Sequence, residues 1–393
     1  MSTMNSSTSY GHSFRLAQDY PNACHLHLAV PYMSPHWSVY EAAIQAVRDG
    51  LCDNYGSQYG IQALRIAIAE KLHNYNRYEV TWDNVIVTTG AQEAFALAMT
   101  YLLQPGDVVI MSCPTYPGHI STASMMGARI LFAHKGERGA LRLSRSDLDD
   151  LWLQSISLYD RTPKVFVICD PVNPTGDCLS QQECETLAEF ALDKGLWIVA
   201  DETYEYFQYQ GAHYSLGAIE EIRPYLIGCF SMSKTYSIPG WRVGYAVSDL
   251  SVVDDLISIH DNLVINASVV AQYAALAAIS LPDQMRDEAR HLMRAGRDVL
   301  VAGLNSTTTF SAGLPQGGLS ILAKLLVPWD SDELVDELAR NAGVIAMSGK
   351  AFGPRNLQQV RFCFGQPLSV LTDSVERILS WEKSISSSTN LHS

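Results

Sequence analysis

The sequence predicts an α/β fold: a mainly parallel, seven-stranded-type sheet with helices on both faces, and a smaller α+β domain. Short β-branched runs alternate with helical patterns up to about residue 250, and the pattern then changes. The chain has 393 residues, more than one hydrophobic core usually serves. We therefore expect an N-terminal segment (1–45) that packs on the small domain and the active site, a large ligand-binding domain (46–280) and a small C-terminal domain (281–393).

The predicted strands of the large domain are short and apolar. In chain order they read NVIVTTG, DVVIMSC, ARILFAH, KVFVICD, LWIVADE and LIGCFSMSK, and helical patterns such as AQEAFALAMTYLL and QQECETLAEFALDKG lie between them. Continuous apolar runs of this length are typical of strands that are buried on both faces. Open α/β sheets bind ligands outside the carboxyl ends of their strands, so the residues that follow each strand are candidates for chemistry.

The last third of the chain predicts a different arrangement. A helical pattern interrupted near Pro282 connects the two predicted domains. Beyond it, the runs GGLSILAKLLV, GVIAMSGKAFG and QQVRFCFG predict strands of the small domain. Residues 1–20 and 384–393 are rich in Ser, Thr and Asn, and we expect mobile ends there.

Composition excludes several classes of partner. The net charge is -14, from 41 acidic and 27 basic residues, and no run of Lys or Arg stands out, so neither nucleic acid nor an anionic membrane is an expected partner. Eight cysteines are scattered without a CxxC pair, which predicts reduced thiols in a cytoplasmic protein and no metal site. The first fourteen residues lack the features of a signal peptide, and no apolar stretch approaches the ~20 residues of a membrane span.

Lys234 is the strongest candidate for chemistry. It lies in SMSKTYSIPGWRVGY, just after a buried strand, with Ser231, Ser233 and Arg242 close in sequence. A solvated surface lysine is the ordinary alternative, since lysine is rarely buried without a partner. At a strand end, however, desolvation can lower the pKa of an amine, which then acts as a nucleophile and forms a Schiff base.

Two further stretches end at the same predicted edge of the sheet. TTGAQEAF places Gly90 at a strand-to-helix turn, where the N–H groups of Ala91 and Gln92 form an anion site suited to phosphate. A glycine there could equally serve the turn alone. CPTYPGH presents Tyr116 after a strand, and its ring either packs inside the protein or offers a flat face to a planar ligand.

Polar side chains follow two more strands. Asn173 lies in the turn DPVNPTG, where it either punctuates the turn or offers its amide to a ligand oxygen. Asp201 ends the strand in VADETYEYF, with Tyr204 three residues later. A buried carboxylate requires a partner, either a cation or a protonated ring nitrogen, although a helix cap is a competing role.

The order and spacing of these motifs resemble the class I/II aminotransferase family, whose members are fold type I pyridoxal-phosphate (PLP) enzymes. The resemblance covers about residues 25–380, and SMSKTYSIPGWRVGY and NPTG are its strongest pieces. It implies a PLP-dependent transferase that exchanges an amino group between an L-amino acid and a 2-oxo acid. Lys234 would hold PLP through a Schiff base, and freed Lys234 would remove the Cα proton.

The resemblance implies roles for the other candidates as well. Asp201 would pair with the ring nitrogen and Tyr116 would stack on the ring, and both count with Lys234 as catalytic. Asn173 and Tyr204 would contact the phenolic oxygen of PLP. Its phosphate would be bound by the turn at Gly90, Ala91 and Gln92 and by Ser231, Ser233 and Arg242.

The substrate side carries both matches and departures. Arg361 in VRFCFG would bind the substrate α-carboxylate with Asn173, although a surface ion pair is the ordinary alternative. Ala29 stands where many relatives have glycine beside the substrate, which leaves contacts near Tyr32, His36 and Trp37 open. Leu319 and Ser320 stand where an aromatic pair is common. These departures keep an alternative open: a cyclase, a β/γ-elimination lyase or an oxidase of the same fold.

The resemblance further implies a homodimer with shared active sites. Tyr55 and Gly56 in NYGSQYG resemble the stretch whose tyrosine reaches the phosphate in the neighbouring subunit. Two other classes are disfavoured. A nicotinamide dehydrogenase would need a GxGxxG turn after an early strand, and a PLP-binding transcriptional regulator would need a DNA-reading module before the cofactor domain.

Overall fold

The computed structural model describes residues 5–134 and 143–389. The helices are α1 (Asn5–Asp19), α2 (Trp37–Arg48), α3 (Gln62–Lys71), α4 (Ala91–Leu102), α5 (Pro117–Met125), α6 (Arg145–Tyr159), α7 (Gln181–Lys194), α8 (Leu250–Val264), α9 (Val269–Ile279), α10 (Asp283–Asn305), α11 (Ser331–Glu337) and α12 (Leu368–Thr389). The strands are β1 (Cys24–His25), β2 (Val85–Thr88), β3 (Val108–Cys113), β4 (Arg129–His134), β5 (Pro163–Cys169), β6 (Trp197–Asp201), β7 (Leu226–Ser231), β8 (Gly244–Val247), β9 (Phe310–Ser311), β10 (Ser320–Leu325), β11 (Val344–Ile345), β12 (Met347–Ser348) and β13 (Gln359–Cys363).

The largest sheet has seven strands in the order β2-β8-β7-β6-β5-β3-β4. All neighbouring pairs are parallel except those of β8, which runs antiparallel to both β2 and β7. The mainly parallel α/β fold is thus confirmed. Strand β8 was not among the predicted strands, because its first two residues, Gly244 and Tyr245, lie inside the motif that was interpreted as a ligand-binding segment.

Successive side chains along a strand of this sheet belong to two different hydrophobic cores, one on each face of the sheet. In β5, Phe166 and Ile168 join the core on one face, whereas Val165 and Val167 join the core on the other. This is the two-residue period of a strand with both faces covered. Helices α3, α6, α7 and α9 contribute side chains to the first core, and α4, α5 and α8 to the second. The burial of both faces explains why the strands read as continuous apolar runs.

A third core lies around a four-stranded antiparallel sheet of order β12-β13-β10-β9. Helix α10 packs on α12 here, and β1 pairs in parallel with β11, which joins the N-terminal segment to this unit. Helix α2 instead packs on α9 beside the large sheet. The division into domains at residues 45 and 280 stays a prediction, and residue 45 lies inside α2.

The expectation of mobile ends is wrong for most of the residues concerned. Residues 5–19 form α1, and Ser13 and Leu16 are buried against the third core and its neighbours. At the other end, α12 continues to Thr389. The Ser-rich composition hid two amphipathic helices, because small polar residues are tolerated on the exposed face of a packed helix. The remaining residues of both expected segments, 1–4 and 390–393, lie outside the described residues.

The long helical pattern breaks where Pro282 predicts it. Helix α9 ends at Ile279 and α10 begins at Asp283, with Pro282 in the preceding position that an N-cap occupies. In the described ranges, no helix has the length and apolarity that crossing a bilayer would require.

Candidate active site

A cavity of about 160 Å³ lies at the carboxyl ends of β5, β6 and β7. The predicted residues that line it are Ala29, Ala91, Gln92, Tyr116, Asn173, Asp201, Tyr204, Ser231, Ser233, Lys234, Arg242 and Arg361. They come from seven separate stretches of the chain, including the N-terminal segment and β13 of the third core. The rule that ligands bind at the carboxyl edge of an open sheet therefore located the cavity correctly.

Lys234 lies in the turn that connects β7 to β8. The N–H of Ser233 donates to Ser231 Oγ at 3.1 Å, and the N–H of Ile238 donates to the Ser233 carbonyl at 3.2 Å, so the turn is internally bonded. Burial lowers the pKa of Lys234 to about 8, and the cations Arg361 and Arg242 act in the same direction. Within the described part of the chain, no hydrogen bond or ion pair engages its Nζ. The structure thus holds an amine that loses its proton easily at the cavity wall.

Asp201 is the last residue of β6 and carries a negative charge in the cavity. His119 Nε2 lies 2.9 Å from Asp201 Oδ2, and the Thr203 N–H donates to Asp201 Oδ1 at 3.0 Å. Burial alone would raise the pKa of Asp201, but these hydrogen bonds outweigh burial and hold the pKa below its usual value. An ionised carboxylate here suits a protonated ring nitrogen or another cation.

The first turn of α4 forms one end of the cavity. Gly90 precedes the helix with φ of 81°, and a Cβ at this position would lie 2.5 Å from Arg242 Nη2. Glycine is therefore required both by its backbone conformation and by the close guanidinium. Arg242 donates to the carbonyls of Thr89 at 3.2 Å and Pro239 at 3.1 Å. These hydrogen bonds hold the guanidinium beside the start of α4, which begins at Ala91. This arrangement suits a phosphate or another anion.

Arg361 reaches the cavity from β13. Its Nη1 donates to Asn173 Oδ1 at 3.1 Å, its Nη2 donates to the His27 carbonyl, and its guanidinium lies 4.9 Å from the centre of the Phe352 ring. Arg361 is buried, yet among the described residues its Nε–H has no acceptor. A buried guanidinium with a spare donor is suited to a carboxylate.

Comparison with known families shows which family the chain belongs to. Residues 30–378 match the family described as aminotransferase class I and II. The chain belongs to this family. The match covers most of the chain and includes every cavity residue discussed above except Ala29.

Relatives and solved structures agree with this assignment. A probable aspartate aminotransferase of Methanocaldococcus jannaschii is 32% identical over 337 residues, which cover 83% of this chain and 84% of that protein. An aromatic aminotransferase of Arabidopsis thaliana is 30% identical over 336 residues, 83% of this chain and 82% of that protein. The structure of Thermus thermophilus aspartate aminotransferase with maleate matches with a TM-score of 0.86 and 25% identity, over 96% of each chain. The chain is thus an aminotransferase, and a cyclase, lyase or oxidase is not favoured.

Two aromatic residues complete the cavity of the aminotransferase. Tyr204 is buried, and burial raises the pKa of its phenol well above the usual value, so the hydroxyl stays neutral and can donate. Tyr116 immediately precedes α5, and its ring meets the His119 ring edge-on at 5.4 Å.

Sequence reasoning missed His119 and Thr203. The imidazole of His119 lies against Phe95 at 4.3 Å and is fully buried, while Thr203 lines the cavity. A signal for His119 was present, because it lies three residues after Tyr116 in CPTYPGH, on the first turn of a helix that starts at a strand end. Its partner Asp201 lies 82 positions away, and only the fold brings them together.

Two predicted cofactor residues do not line the cavity: Gly90, which precedes the lining residue Ala91, and Tyr55. The side chain of Tyr55 is 81% exposed. The next residue, Gly56, donates its N–H to Asn266 Oδ1 at 3.1 Å, which anchors this loop of the aminotransferase.

Proposed function

We propose that this aminotransferase holds PLP on Lys234 and exchanges the amino group of an L-amino acid with the oxo group of a 2-oxo acid. One observation carries the proposal: a single cavity combines the amine of Lys234, whose pKa is lowered to about 8, with the ionised carboxylate of Asp201 and the spare Nε–H of Arg361. These are an amine that can form a Schiff base, a partner for a ring nitrogen and a binder for an α-carboxylate.

The residues present fit PLP at three points. The Gly90 turn leaves space that a Cβ would fill, beside the Arg242 guanidinium and the start of α4, which suits the phosphate. Ser231 and Ser233 line the same part of the cavity and would add hydroxyl donors. Tyr116 would stack on the ring, and the neutral phenol of Tyr204 would donate to the ring oxygen with Asn173.

When bound, PLP supplies the electron sink that makes the Cα proton of an amino acid acidic. The chain supplies proton transfer and orientation. Lys234, once free of the cofactor, would take the Cα proton on Nζ and later release it, which requires an amine with a pKa near the working pH. Asp201 stays ionised because of His119 and Thr203, and so would keep a proton on the ring nitrogen.

Arg361 would orient the substrate. Its Nη1 and Nη2 are already held by Asn173 and the His27 carbonyl, so the guanidinium is fixed before a substrate arrives. A carboxylate bound there would hold the substrate in the cavity that Lys234 also lines. Preorganisation of this kind lowers the entropic cost of binding.

We further propose a homodimer in which Tyr55 serves the partner's site. Tyr55 and Trp37 are 81% and 67% exposed, and the exposed side chains on and after α2 include several other apolar ones, namely Tyr40, Ile44, Val47 and Leu51. A soluble monomer rarely leaves so many neighbouring apolar groups in water. Sedimentation analysis tests the dimer. Mixing inactive K234A with inactive Y55A tests the shared site, because one intact site per mixed dimer should restore activity.

The eight cysteines are all free thiols, which supports a cytoplasmic location.

The experiment that tests the function is a half-reaction followed by absorption. The purified protein with PLP is titrated with aspartate, glutamate, phenylalanine, tyrosine and alanine, since its relatives are named aspartate and aromatic aminotransferases. We expect the lysine-linked absorption band to convert to that of the amine form, with one equivalent of 2-oxo acid released. K234A should bind PLP without this band, whereas K164A, which alters an exposed lysine paired with Asp107, should behave as wild type.

Two results would contradict the proposal. Absence of a lysine-linked band in the wild-type protein with PLP would remove the role of Lys234. Return of the original band with a changed product and no 2-oxo acid would replace transamination by elimination or cyclisation.

A further inference from the structure

A buried cluster of charged side chains lies next in sequence to two cavity residues. Glu202 directly follows Asp201, and Asp170 lies three residues before Asn173. The members of this cluster, all of them with buried side chains, are Lys71, Asn76, Asp170, Glu202, Glu205, His213 and Ser215. The proposed chemistry uses none of them.

His213 lies at the centre of the cluster. Its Nε2 is 2.7 Å from Glu202 Oε2, and its Nδ1 is 3.4 Å from Asp170 Oδ2. The second oxygen of each carboxylate is held as well, since Ser215 Oγ donates to Glu202 at 2.8 Å and the Leu179 N–H donates to Asp170 at 2.9 Å. The imidazole thus joins the end of β5 to the residue that follows β6.

The cluster also contains a lysine and an amide that hold its glutamates. Lys71 Nζ lies 2.5 Å from Glu205 Oε1, and Asn76 Nδ2 donates to Glu205 at 2.7 Å and to Glu202 at 3.4 Å. Glu202, Glu205 and His213 have the spacing of metal ligands. However, a divalent ion would have to compete with the ammonium of Lys71, so the contacts favour an ion-pair network over a metal site.

We propose that His213 is a positioning residue for the aminotransferase reaction, because it joins Asp170 to Glu202 and thereby fixes Asn173 and Asp201 in the cavity wall. This inference rests on the proposed function, since the positions of Asn173 and Asp201 matter if they contact PLP.

Two further observations support the link. The Asp170 N–H donates to the Asp201 carbonyl at 3.0 Å, so the two strand ends are bonded to each other beside the cluster. Burial would lower the pKa of His213, but the neighbouring carboxylates, Glu202 through a hydrogen bond and Asp170 through an ion-pair contact, raise it to about 10. The imidazole is therefore a cation at neutral pH, and without it Asp170 and Glu202 would keep their neutral hydrogen-bond donors but lose the cation that both contact.

The test is His213→Gln, which keeps a hydrogen-bond donor and removes the charge. Without PLP, we expect faster backbone hydrogen exchange in residues 170–176 and 199–205. With PLP, we expect the dissociation constant to rise about tenfold, the scale of one hydrogen bond to a charged group. E202Q/H213Q should recover much of this loss, because it leaves no unpaired charge on Glu202. H73Q is the matched control: its imidazole lies 2.8 Å from Glu79 on the surface, and neither quantity should change.

Each outcome bears on the proposal. Unchanged exchange and an unchanged PLP dissociation constant in H213Q overturn it, even if the unfolding temperature falls, because a purely structural role would have that pattern. If H213Q does not fold, S215A removes one hydrogen bond to Glu202 and should shift both quantities in the same direction, and no shift overturns the proposal. A response of the wild-type dissociation constant to EDTA, Mg²⁺ or Zn²⁺ would overturn the ion-pair network. Failure of the wild-type protein to form a lysine-linked band is a different result, which removes the proposed function.

Discussion

The rate at which Lys234 captures PLP should rise with pH, reach half its maximum near pH 8 and level off near pH 9. The structure lowers the pKa of this amine from its ordinary 10.5 to about 8. At pH 7 the neutral fraction is then about 10%, against about 0.03% for an ordinary lysine, a gain of about 300-fold in reactive amine. Below pH 8 the rate should fall about tenfold per pH unit, because the protonated amine is not a nucleophile.

The assay mixes cofactor-free protein with PLP at a series of pH values and follows the visible absorption of the lysine-linked product. Borohydride reduction and peptide mass analysis then confirm that the modified residue is Lys234. R361Q removes a nearby cation that lowers this pKa, so its profile should shift to higher pH, whereas K164A should match wild type. A wild-type profile that still rises steeply above pH 9 would refute the argument that burial activates the amine.

Four further outcomes are expected. Arg361→Lys keeps the charge but loses the planar fork, so kcat/KM for amino acids should fall about 100-fold, mainly through KM, in steady-state kinetics. Gly90→Ala forces a side chain into a positive-φ position 2.5 Å from Arg242 and should weaken PLP binding about tenfold by absorbance titration. Gly195→Ala, with φ of 64° and no atom within 4 Å, should lose about 1 kcal/mol of unfolding free energy without affecting PLP. Because the pKa of His213 is raised to about 10, its contribution to the free energy of unfolding is complete below pH 6.5 and is lost as the pH rises toward 10; denaturant titrations of H213Q should therefore show a deficit of about 3 kcal/mol at pH 6 that shrinks at pH 10.

The large sheet could be predicted well because its strands are buried on both faces. A run such as KVFVICD has no polar face, so neither its position nor its class depends on distant partners. The same reasoning located Lys234, Asp201 and Asn173 at one edge, since parallel strands end together. Strand β8 was not predicted because its first two residues, Gly244 and Tyr245, belong to the segment that was assigned to ligand binding.

Contacts between distant segments could not be predicted. The pairing of His119 with Asp201 and the bridge from His213 to Asp170 join residues from different strand ends, and a single sequence gives no distances between them. Helix α1 was missed for a related reason: its burial depends on a surface formed by residues more than 300 positions later, including the neighbourhood of Asp336. The Ser-rich composition of that segment reflects the exposed face of the helix, and it gives no sign of the face that packs against the protein.

The connection between β7 and β8 limits how the sequence of this protein can change during evolution. Residues 232–243 form a hairpin turn that carries Lys234 near one end and Arg242 at the other, and both flanking strands are locked in register by Gly228 opposite Val247 and Ser231 opposite Gly244. A crossover between parallel strands can gain or lose residues at little cost, but an insertion in this hairpin would separate the amine from the anion site. The length of this segment is therefore fixed by the chemistry, whereas the stretch around Ala29, which enters the cavity from outside the large sheet, is free to diverge. New substrate preferences can arise in such a scaffold without rebuilding its reaction centre.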